Sequence, residues 1–149
     1  MKNYNNINIA NAIKILYNVK YQKKLTYLKR GGSEMDIRKY DIVQIDFGEV
    51  VGSEQGGRRP AVILQNDVGN RYSMTTIVAP LSSKLKSLNQ PTHTLIRKST
   101  DTGLKTDSVL LGEQMRVISN QRIIRKIGTV TDQTEIEEIK RVYKANFGD

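Results

Sequence analysis

The sequence predicts an α+β fold in which β-structure dominates: a small, mostly antiparallel β-barrel or sandwich capped by a C-terminal amphipathic helix. Two observations support this fold class. Five to seven short strand-like runs, separated by turn residues, follow one another between residues 41 and 130, and a single helical apolar stripe ends the chain. The chain has 149 residues, 38% hydrophobic and 26% charged, and no internal repeats, which favours one main globular domain.

The predicted strands differ in their burial. Asp41–Phe47 (DIVQIDF) alternates like a half-buried strand, whereas Ala61–Gln65 (AVILQ) and Thr75–Ala79 (TTIVA) are β-branched runs typical of strands buried on both faces. Asn, Asp and Gly predict a turn at Asn66–Ser73 (NDVGNRYS) between them. The other predicted strands are Thr92–Arg97, one long strand from Ser108–Leu111 to Met115–Ile118 that is interrupted or bent at Gly112, and Ile123–Val130.

The C-terminal helix is predicted from its start signal, its apolar stripe and its stop. Asp132 is an N-cap candidate, and Glu135 three residues later gives a capping-box-like start. Gly148 suits the end of the helix. The stripe consists of Ile136, Ile139, Val142, Tyr143 and Phe147.

Charge divides the chain into residues 1–34, a basic N-terminal extension, and residues 35–149, the main domain. The net charge is +9, but residues 1–33 hold seven Lys/Arg and no acid, which leaves 17 bases against 15 acids in the rest. Ile9, Ile13, Leu16 and Val19 fall near helical spacing, so the extension is either a basic amphipathic helix over roughly residues 8–29 or a solvated tail. Such a helix suits RNA, a membrane surface or another protein.

A further hypothesis is that residues 1–34 come from an over-extended gene start. Residues 1–30 contain six Asn, six Lys, four Ile and four Tyr, all of which codons of A and T alone can encode. Arg30-Gly31-Gly32 can be written AGA-GGA-GGT, which resembles a bacterial ribosome-binding sequence, and Met35 follows two codons later. A peptide covering residues 8–20, found in native cells by mass spectrometry, would contradict this start at Met35.

Composition and motifs exclude several function classes. The chain has no cysteine, which removes disulfides and thiol catalysis and suits a cytoplasmic protein. We find no signal peptide and no apolar run near the roughly 18 residues of a membrane span. His93 is the one histidine, and HExxH, Walker A and GxGxxG motifs are absent. Strand alternation scatters the carboxylates of Asp36, Asp41, Asp46 and Glu49, so we expect neither a metal nor a cofactor.

The connection between the first two strands has an unusual composition. Residues 52–60 read GSEQGGRRP and combine an acid, an amide, a hydroxyl, three glycines and two adjacent arginines. Glycine permits positive φ and close approach of a ligand, and an arginine beside such a loop offers a planar fork suited to phosphate. From spacing alone, the loop fits either an anion-binding site or a flexible connection with solvated arginines.

The stretch GSEQGGRRPAVILQND, with DIVQIDF before it and LLGEQMRVI after it, closely resembles the MazF/PemK family of toxins from bacterial toxin–antitoxin pairs. The resemblance runs from about Ile37 to the terminal helix. It implies an SH3-like β-barrel, a homodimer, and a metal-independent endoribonuclease that cuts single-stranded mRNA at short sequences. It also implies 2′,3′-cyclic phosphate and 5′-hydroxyl ends, inhibition of translation and growth, and neutralisation by a cognate MazE-like antitoxin.

The resemblance also implies catalytic residues. Arg59 matches the family's catalytic arginine and would stabilise the negative pentacoordinate phosphorane. Ser82 takes the place of a family hydroxyl residue, often threonine, and would hydrogen-bond a non-bridging oxygen. Glu54 lies in the GSEQ segment and is a physically easier general base than an arginine, whose pKa exceeds about 12. The choice between Glu54 and Arg59 as the base stays open at this point.

Single-stranded RNA is recognised by contacts to splayed bases and to its backbone, so polar residues near the loop are RNA-binding candidates. On a strand, Gln114 and Arg116 also fit a solvent-facing side. Relatives with this loop favour a U/A-rich pentamer containing ACA, which is a guess for this chain. The candidates are Ser53, Gln55, Gly56, Gly57, Arg58, Asn66, Gln114 and Arg116.

The competing interpretation is a toxin of the same fold that does not cleave RNA. Relatives with this barrel bind DNA gyrase, and a degenerate toxin would bind RNA without cutting it. The GSEQGG…RP signature is that of the nuclease branch, and Ser82 keeps the hydroxyl, so cleavage is the favoured interpretation. The sequence leaves open the cleavage motif, the antitoxin's identity and the physiological trigger.

Overall fold

The computed structural model describes residues 13–19, 21–22, 35–84 and 88–148. These residues form antiparallel strands with a C-terminal helix, as the sequence predicts, and a short helix between the second and third strands. The strands are β1 (Asp41–Asp46), β2 (Arg58–Ile63), β3 (Thr75–Ser82), β4 (His93–Ile96), β5 (Ser108–Leu111), β6 (Arg116–Ser119) and β7 (Ile123–Thr129). The helices are α1 (Asp67–Tyr72) and α2 (Gln133–Ala145), and 3-10 turns occur at Gly112–Gln114 and Asn120–Arg122.

The sheet is antiparallel throughout its described pairs. Its strand order is β4-β5-β3-β2-β1-β7, and β6 pairs with β3 beside this path. The pairing of the described residues therefore runs as an open path from β4 to β7 and does not close into a ring. The coarser prediction, a β-dominant α+β fold with a terminal helix, is confirmed.

The predicted interruption at Gly112 is present, because the run forms two strands, β5 and β6. Leu81 pairs with Leu110 and Val78 pairs with Arg116, so three residues along β3 correspond to six on the other side. The 3-10 turn Gly112–Gln114 takes up the three extra residues. Gly112 is required there, since a Cβ at this position would lie 2.2 Å from Cγ1 of Val142 on α2.

The central strands are buried on both faces, as the β-branched runs predict. One core cluster lies on the face opposite α2, and the other packs against α2. The first consists of Ile37, Val43, Ile45, Phe47, Ala61, Ile63, Val78, Ile118 and Ile123. The second consists of Ile42, Val62, Ala79, Leu81, Ile96, Leu110, Val130, Ile139 and Val142.

Helix α2 begins as predicted but differs in two details. The Asp132 side chain accepts a hydrogen bond from the Glu135 backbone N–H at 3.0 Å. The capping box is not reciprocal, because Oε1 of buried Glu135 accepts from the Arg97 backbone N–H at 3.0 Å instead. The apolar stripe is also buried only in part, since Tyr143 and Phe147 are exposed and contact each other, with ring centroids 5.3 Å apart.

The predicted turn Asn66–Ser73 contains the helix α1. Asn66 is its N-cap, and its Oδ1 accepts a hydrogen bond from the Gly69 backbone N–H at 2.7 Å. Turn-forming residues are also N-cap formers, and here the capping role prevails. The buried side chain of Asn70 then ties α1 to β3, because its Oδ1 accepts from the Thr76 hydroxyl at 2.8 Å.

Residues 13–19 and 21–22 are helical, in agreement with a helix in the basic extension. The remainder of the predicted helix over 8–29, including Ile9, lies outside the described residues. Tyr17 contacts Tyr72 of α1 edge-to-face at 5.4 Å between ring centroids. The helices of the described residues include none that is both long and apolar enough to cross a membrane.

Candidate active site

The GSEQGG segment lies in the connection between β1 and β2, and two backbone hydrogen bonds close this loop. The Phe47 N–H donates to the Gly57 carbonyl, and the Gly57 N–H donates to the Gly48 carbonyl, both at 3.0 Å. Gly57 has φ +69°, which favours glycine. Gly56 is needed for space, because a Cβ there would lie 2.7 Å from a methyl group of Val50. These hydrogen bonds and glycines fix the conformation of the loop, and the two arginines follow it as the first residues of β2.

Arg59 is half-buried at the second position of β2 and is held by its own loop. Its Nε donates to the Gly56 carbonyl at 2.8 Å, and its Nη1 donates to the side-chain oxygen of Gln55. Burial, and then the charge of Arg116, lower the pKa of Arg59 below its ordinary value. The guanidinium is thus oriented and partly desolvated, two conditions under which a cation acts strongly on a phosphate.

Gln55 connects this loop to the segment after β5. Its backbone N–H donates to Oε1 of Gln114 at 3.1 Å, and its carbonyl accepts from Nη2 of Arg116. The guanidinium of Arg116 lies over the ring of buried Phe47, 4.3 Å from its centroid. Gln114 and Arg116, predicted to bind RNA, therefore support the position of Gln55. Ser53 belongs to the same contact, since its carbonyl accepts from Nε2 of Gln114 at 3.4 Å.

Glu54 is exposed and turned into its own loop. Its Oε2 accepts a hydrogen bond from the Val51 backbone N–H at 3.2 Å, and its own N–H donates to the Val51 carbonyl at 3.3 Å. The hydrogen bonds of Arg59 go to Gln55 and Gly56 instead. The predicted general base is thus not placed against Arg59, the predicted catalytic arginine, in this conformation.

Ser82 lies at the end of β3 and is buried, with 7% of its surface exposed. Its hydroxyl donates to the Lys84 carbonyl at 3.3 Å, which is a long hydrogen bond. A long bond to a neighbouring carbonyl costs little to exchange for a better acceptor. The hydroxyl can therefore turn towards an anion without moving the strand.

A polar groove of about 570 Å³ joins these elements. It brings together four of the predicted site residues, Gln55, Arg58, Arg59 and Ser82. The predicted residues that do not line it are Ser53, Glu54, Gly56, Gly57, Asn66, Gln114 and Arg116.

Sequence reasoning missed other groove residues, among them Gln44 and the three cations Lys84, Lys105 and Arg125. Gln44 and Arg125 are opposite each other in the β1–β7 pair, which no local pattern reveals. Lys84 follows Ser82 by two residues, and this closeness was the one available signal. Lys105 enters the groove from the β4–β5 connection.

The carboxylates and the histidine have structural partners. Asp41 is buried against Lys126 (2.9 Å) and the Thr129 hydroxyl (2.8 Å), and His93 Nε2 lies 3.1 Å from Oε1 of Glu113. A hydrogen bond from the Gly48 backbone, and then one from Arg58, lower the pKa of Asp46. Within the described parts of the chain, His, Asp and Glu side chains form no group of three that could hold a metal ion.

Residues 38–147 match the family described as "PemK-like, MazF-like toxin of type II toxin-antitoxin system". The chain belongs to this family. Among curated relatives, the toxin is 42% identical over 99 residues to endoribonuclease EndoA of Bacillus subtilis, covering 66% of this chain and 84% of EndoA. It is 39% identical over 112 residues to endoribonuclease MazF of Staphylococcus saprophyticus, covering 75% and 92%.

Solved structures share the fold of this PemK/MazF-family toxin at lower identity. MazF of Deinococcus radiodurans matches with a TM-score of 0.64 and 19% identity over 78% of this chain and all of that one. A mycobacterial endoribonuclease in complex with its cognate antitoxin matches with a TM-score of 0.61 and 17% identity over 75% and 95%. The predicted family is confirmed, and the predicted enzyme class, an endoribonuclease toxin, agrees with both curated relatives.

Proposed function

We propose that this toxin is an endoribonuclease that binds single-stranded mRNA in the groove and cleaves it without a metal ion. The single observation that carries the proposal is the position of Arg59, an oriented, partly desolvated guanidinium in a groove that also contains a buried hydroxyl at Ser82. Family membership supplies the reaction class. Cleavage of mRNA inhibits translation and growth, and it takes place in the cytoplasm.

The proposed reaction begins with the ribose 2′-hydroxyl next to the scissile phosphate. Its oxygen attacks phosphorus as the bond to the departing 5′-oxygen breaks, which yields a 2′,3′-cyclic phosphate and a 5′-hydroxyl. The phosphorane between these states carries more negative charge than the substrate. Arg59 would meet that charge with the N–H groups that its loop does not use, and Ser82 would donate to a non-bridging oxygen.

We assign proton removal from the 2′-hydroxyl to water in the groove rather than to Glu54, and water returns a proton to the departing 5′-oxygen. Glu54 is hydrogen-bonded to Val51 and does not line the groove. The pKa of Arg59 is lowered, but at neutral pH the guanidinium remains a cation and has no site to accept that proton. Arg59 therefore acts as an electrostatic catalyst rather than as the base.

The partners of this toxin follow from its family. The relatives include a mycobacterial endoribonuclease bound to its cognate antitoxin and MazE–MazF assemblies from Deinococcus radiodurans. We infer that this chain likewise binds a MazE-like antitoxin, that it forms a homodimer, and that its strands curve as an SH3-like barrel. An acidic antitoxin segment would compete with RNA for the cationic groove.

The experiment is end-mapping of a long RNA incubated in EDTA with the full chain, either intact or as Arg59→Ala. Discrete cuts at one short motif, absent for the variant, support the proposal and reveal the recognition sequence. An intact protein that leaves the RNA uncut, while it binds RNA or inhibits DNA gyrase, contradicts the cleavage and supports a non-catalytic toxin. A thermal melt of each protein shows whether the variant is folded.

A further inference from the structure

The groove carries more positive charge than cleavage at one phosphate requires. Among the described residues, five cationic side chains line it, and these lining residues include no aspartate or glutamate. The five are Arg58, Arg59, Lys84, Lys105 and Arg125.

These cations differ in what they already contact. Arg58 Nε pairs with Asp46 at 3.1 Å, and Arg59 is bound to its loop. The side chains of Lys84, Lys105 and Arg125 are exposed, and they form no ion pair or hydrogen bond with any described residue. Lys126, next to Arg125 on β7, shows the contrast, because it pairs with buried Asp41. Unpaired like charges gathered around one groove repel one another unless an anion joins them.

The three unpaired cations come from three different elements of the fold. Lys84 follows β3, Arg125 is on β7, and Lys105 is on the connection between β4 and β5. This connection is fixed to β7, since the Asp101 carbonyl accepts from the Thr129 N–H at 2.8 Å. At Gly128 a Cβ would lie 2.2 Å from the same carbonyl, so the contact depends on glycine. Lys105 is thereby carried on an anchored segment.

We propose that Lys84, Lys105 and Arg125 form a backbone subsite that holds the phosphates of nucleotides flanking the cleaved bond. The inference rests on the proposed function, because it concerns the same RNA in the same groove. It separates two tasks: Arg59 and Ser82 act on the scissile phosphate, whereas this subsite holds neighbouring phosphates and fixes the strand without reading its bases. For a single strand, each such contact makes binding more sensitive to salt.

RNA fits the groove better than an acidic polypeptide does. The remaining polar lining includes the amide of Gln44 and the hydroxyls of Ser83, Thr106 and Ser108. These groups suit ribose hydroxyls and phosphate oxygens. In the part of the chain that the structure describes, no aromatic residue lines the groove, and the large aliphatic lining residues are Leu81, Leu104 and Ile127. An acidic antitoxin segment can compete for this groove through its charge, but a polypeptide that orders on binding also needs apolar anchors, which this groove supplies sparingly.

The test uses the full chain carrying Lys84→Gln, Lys105→Gln and Arg125→Gln together, and each change alone. The matched control is Lys98→Gln, since Lys98 is exposed on the same β4–β5 connection and does not line the groove. The substrate is an oligonucleotide around a site that end-mapping has located. Cleavage (kcat/KM) is measured from about 50 to 250 mM KCl, and binding is measured with the same oligonucleotide carrying a 2′-deoxy scissile residue.

The expected result is a salt dependence of log(kcat/KM) that becomes shallower by about 0.7 per cation removed, and by about 2 for the triple variant. The cut sites stay the same, kcat at saturating RNA stays near that of the intact protein, and Lys98→Gln keeps the original slope. A triple variant with the original slope overturns the subsite while leaving the proposed function intact. If neither the intact protein nor any variant cleaves RNA, the proposed function itself is wrong. Loss of binding to poly-L-glutamate with an unchanged RNA slope would assign the cations to an acidic polypeptide and overturn the RNA assignment.

Discussion

The side-chain oxygen of Gln55 accepts a hydrogen bond from Nη1 of Arg59, so the loop's amide orients the arginine that follows it. Gln55 is itself held through its backbone by Gln114 and Arg116. The loop therefore positions the guanidinium through a chain of contacts that spans two segments 59 residues apart. The sequence predicts that Gln55 binds RNA, and its hydrogen bond shows in addition that it orients the Arg59 side chain.

Replacement of Gln55 by Leu should lower kcat by about 10- to 100-fold, because a misplaced catalytic group forfeits much of its effect. KM should change little. The check is steady-state kinetics on a mapped oligonucleotide, with Gln44→Leu, a groove amide that forms no hydrogen bond with Arg59, as the comparison. A raised KM with unchanged kcat would instead make Gln55 an RNA-contacting residue.

Arg59→Lys should reduce kcat by about 10²- to 10³-fold, since lysine keeps the charge but loses the planar fork and its hydrogen bonds to Gln55 and Gly56. The melting temperature should stay within a few degrees, because Arg59 is only half-buried. Arg58→Lys is the matched control, and its cleavage should remain within a few-fold of the intact protein's. Comparable losses for both variants would contradict a special role of Arg59.

Glu54→Gln should leave cleavage within about threefold, because the carboxylate is exposed and bonded to Val51 rather than placed in the groove. The measurement is kcat/KM across pH 5 to 9. An essential carboxylate base would produce an acidic limb in the profile that vanishes in the variant, together with a loss of 10² or more. That result would restore Glu54 as the general base.

Asp41→Asn should destabilise the protein by about 2 kcal/mol, because hydrogen bonds to a buried charged group are worth about 1.5–3 kcal/mol. The carboxylate joins β1 to β7 through Lys126 and Thr129 and also accepts from the Arg38 N–H at 2.8 Å. Urea unfolding at neutral pH measures the difference. Asp36→Asn, whose side chain is 81% exposed, is the control and should be neutral.

The carboxyl group of Asp46 should titrate with a pKa below its ordinary value of 3.8. The hydrogen bond from the Gly48 N–H is the larger cause of this lowering, and the hydrogen bond from Arg58 is the second. Because the folded-state pKa is depressed, its stabilising contribution is present above the unfolded pKa and is lost as pH falls through the folded one. Carbon-detected NMR of the carboxyl group follows this titration. Arg58→Gln should raise the pKa only in part; a complete return to 3.8 would contradict the leading role of Gly48.

Much of the fold could be predicted from local patterns. The β-branched runs identify the two-sided central strands, and Asp132 marks the start of α2, because these signals depend on neighbouring residues alone. The turn at Asn66–Ser73 could not be distinguished from a capped short helix, since the same residue types serve both. Gly112 marks the interruption between β5 and β6, but the register of both strands against β3 is a long-range property that local patterns do not give.

The site shows the same division. The loop motif identifies Arg59 and Gln55 because both residues belong to one contiguous segment of the sequence. Lys105 and Arg125 are ordinary exposed cations in the sequence, and only strand pairing and the anchored β4–β5 connection bring them to the groove. Glu54 was a reasonable base by chemistry, but its carboxylate is occupied by its own loop.

The most direct measurement is cleavage, in EDTA, of two oligonucleotides around one mapped site that differ only by a 2′-deoxy residue at the scissile nucleotide. The products are identified by mass spectrometry for the intact protein and for Arg59→Lys. We predict a 2′,3′-cyclic phosphate and a 5′-hydroxyl from the RNA, about 10²-fold or more slowly with the variant, and no cleavage of the 2′-deoxy strand. Cleavage of the 2′-deoxy strand, or an unchanged rate for Arg59→Lys, would contradict attack by the 2′-hydroxyl at an arginine-stabilised phosphate.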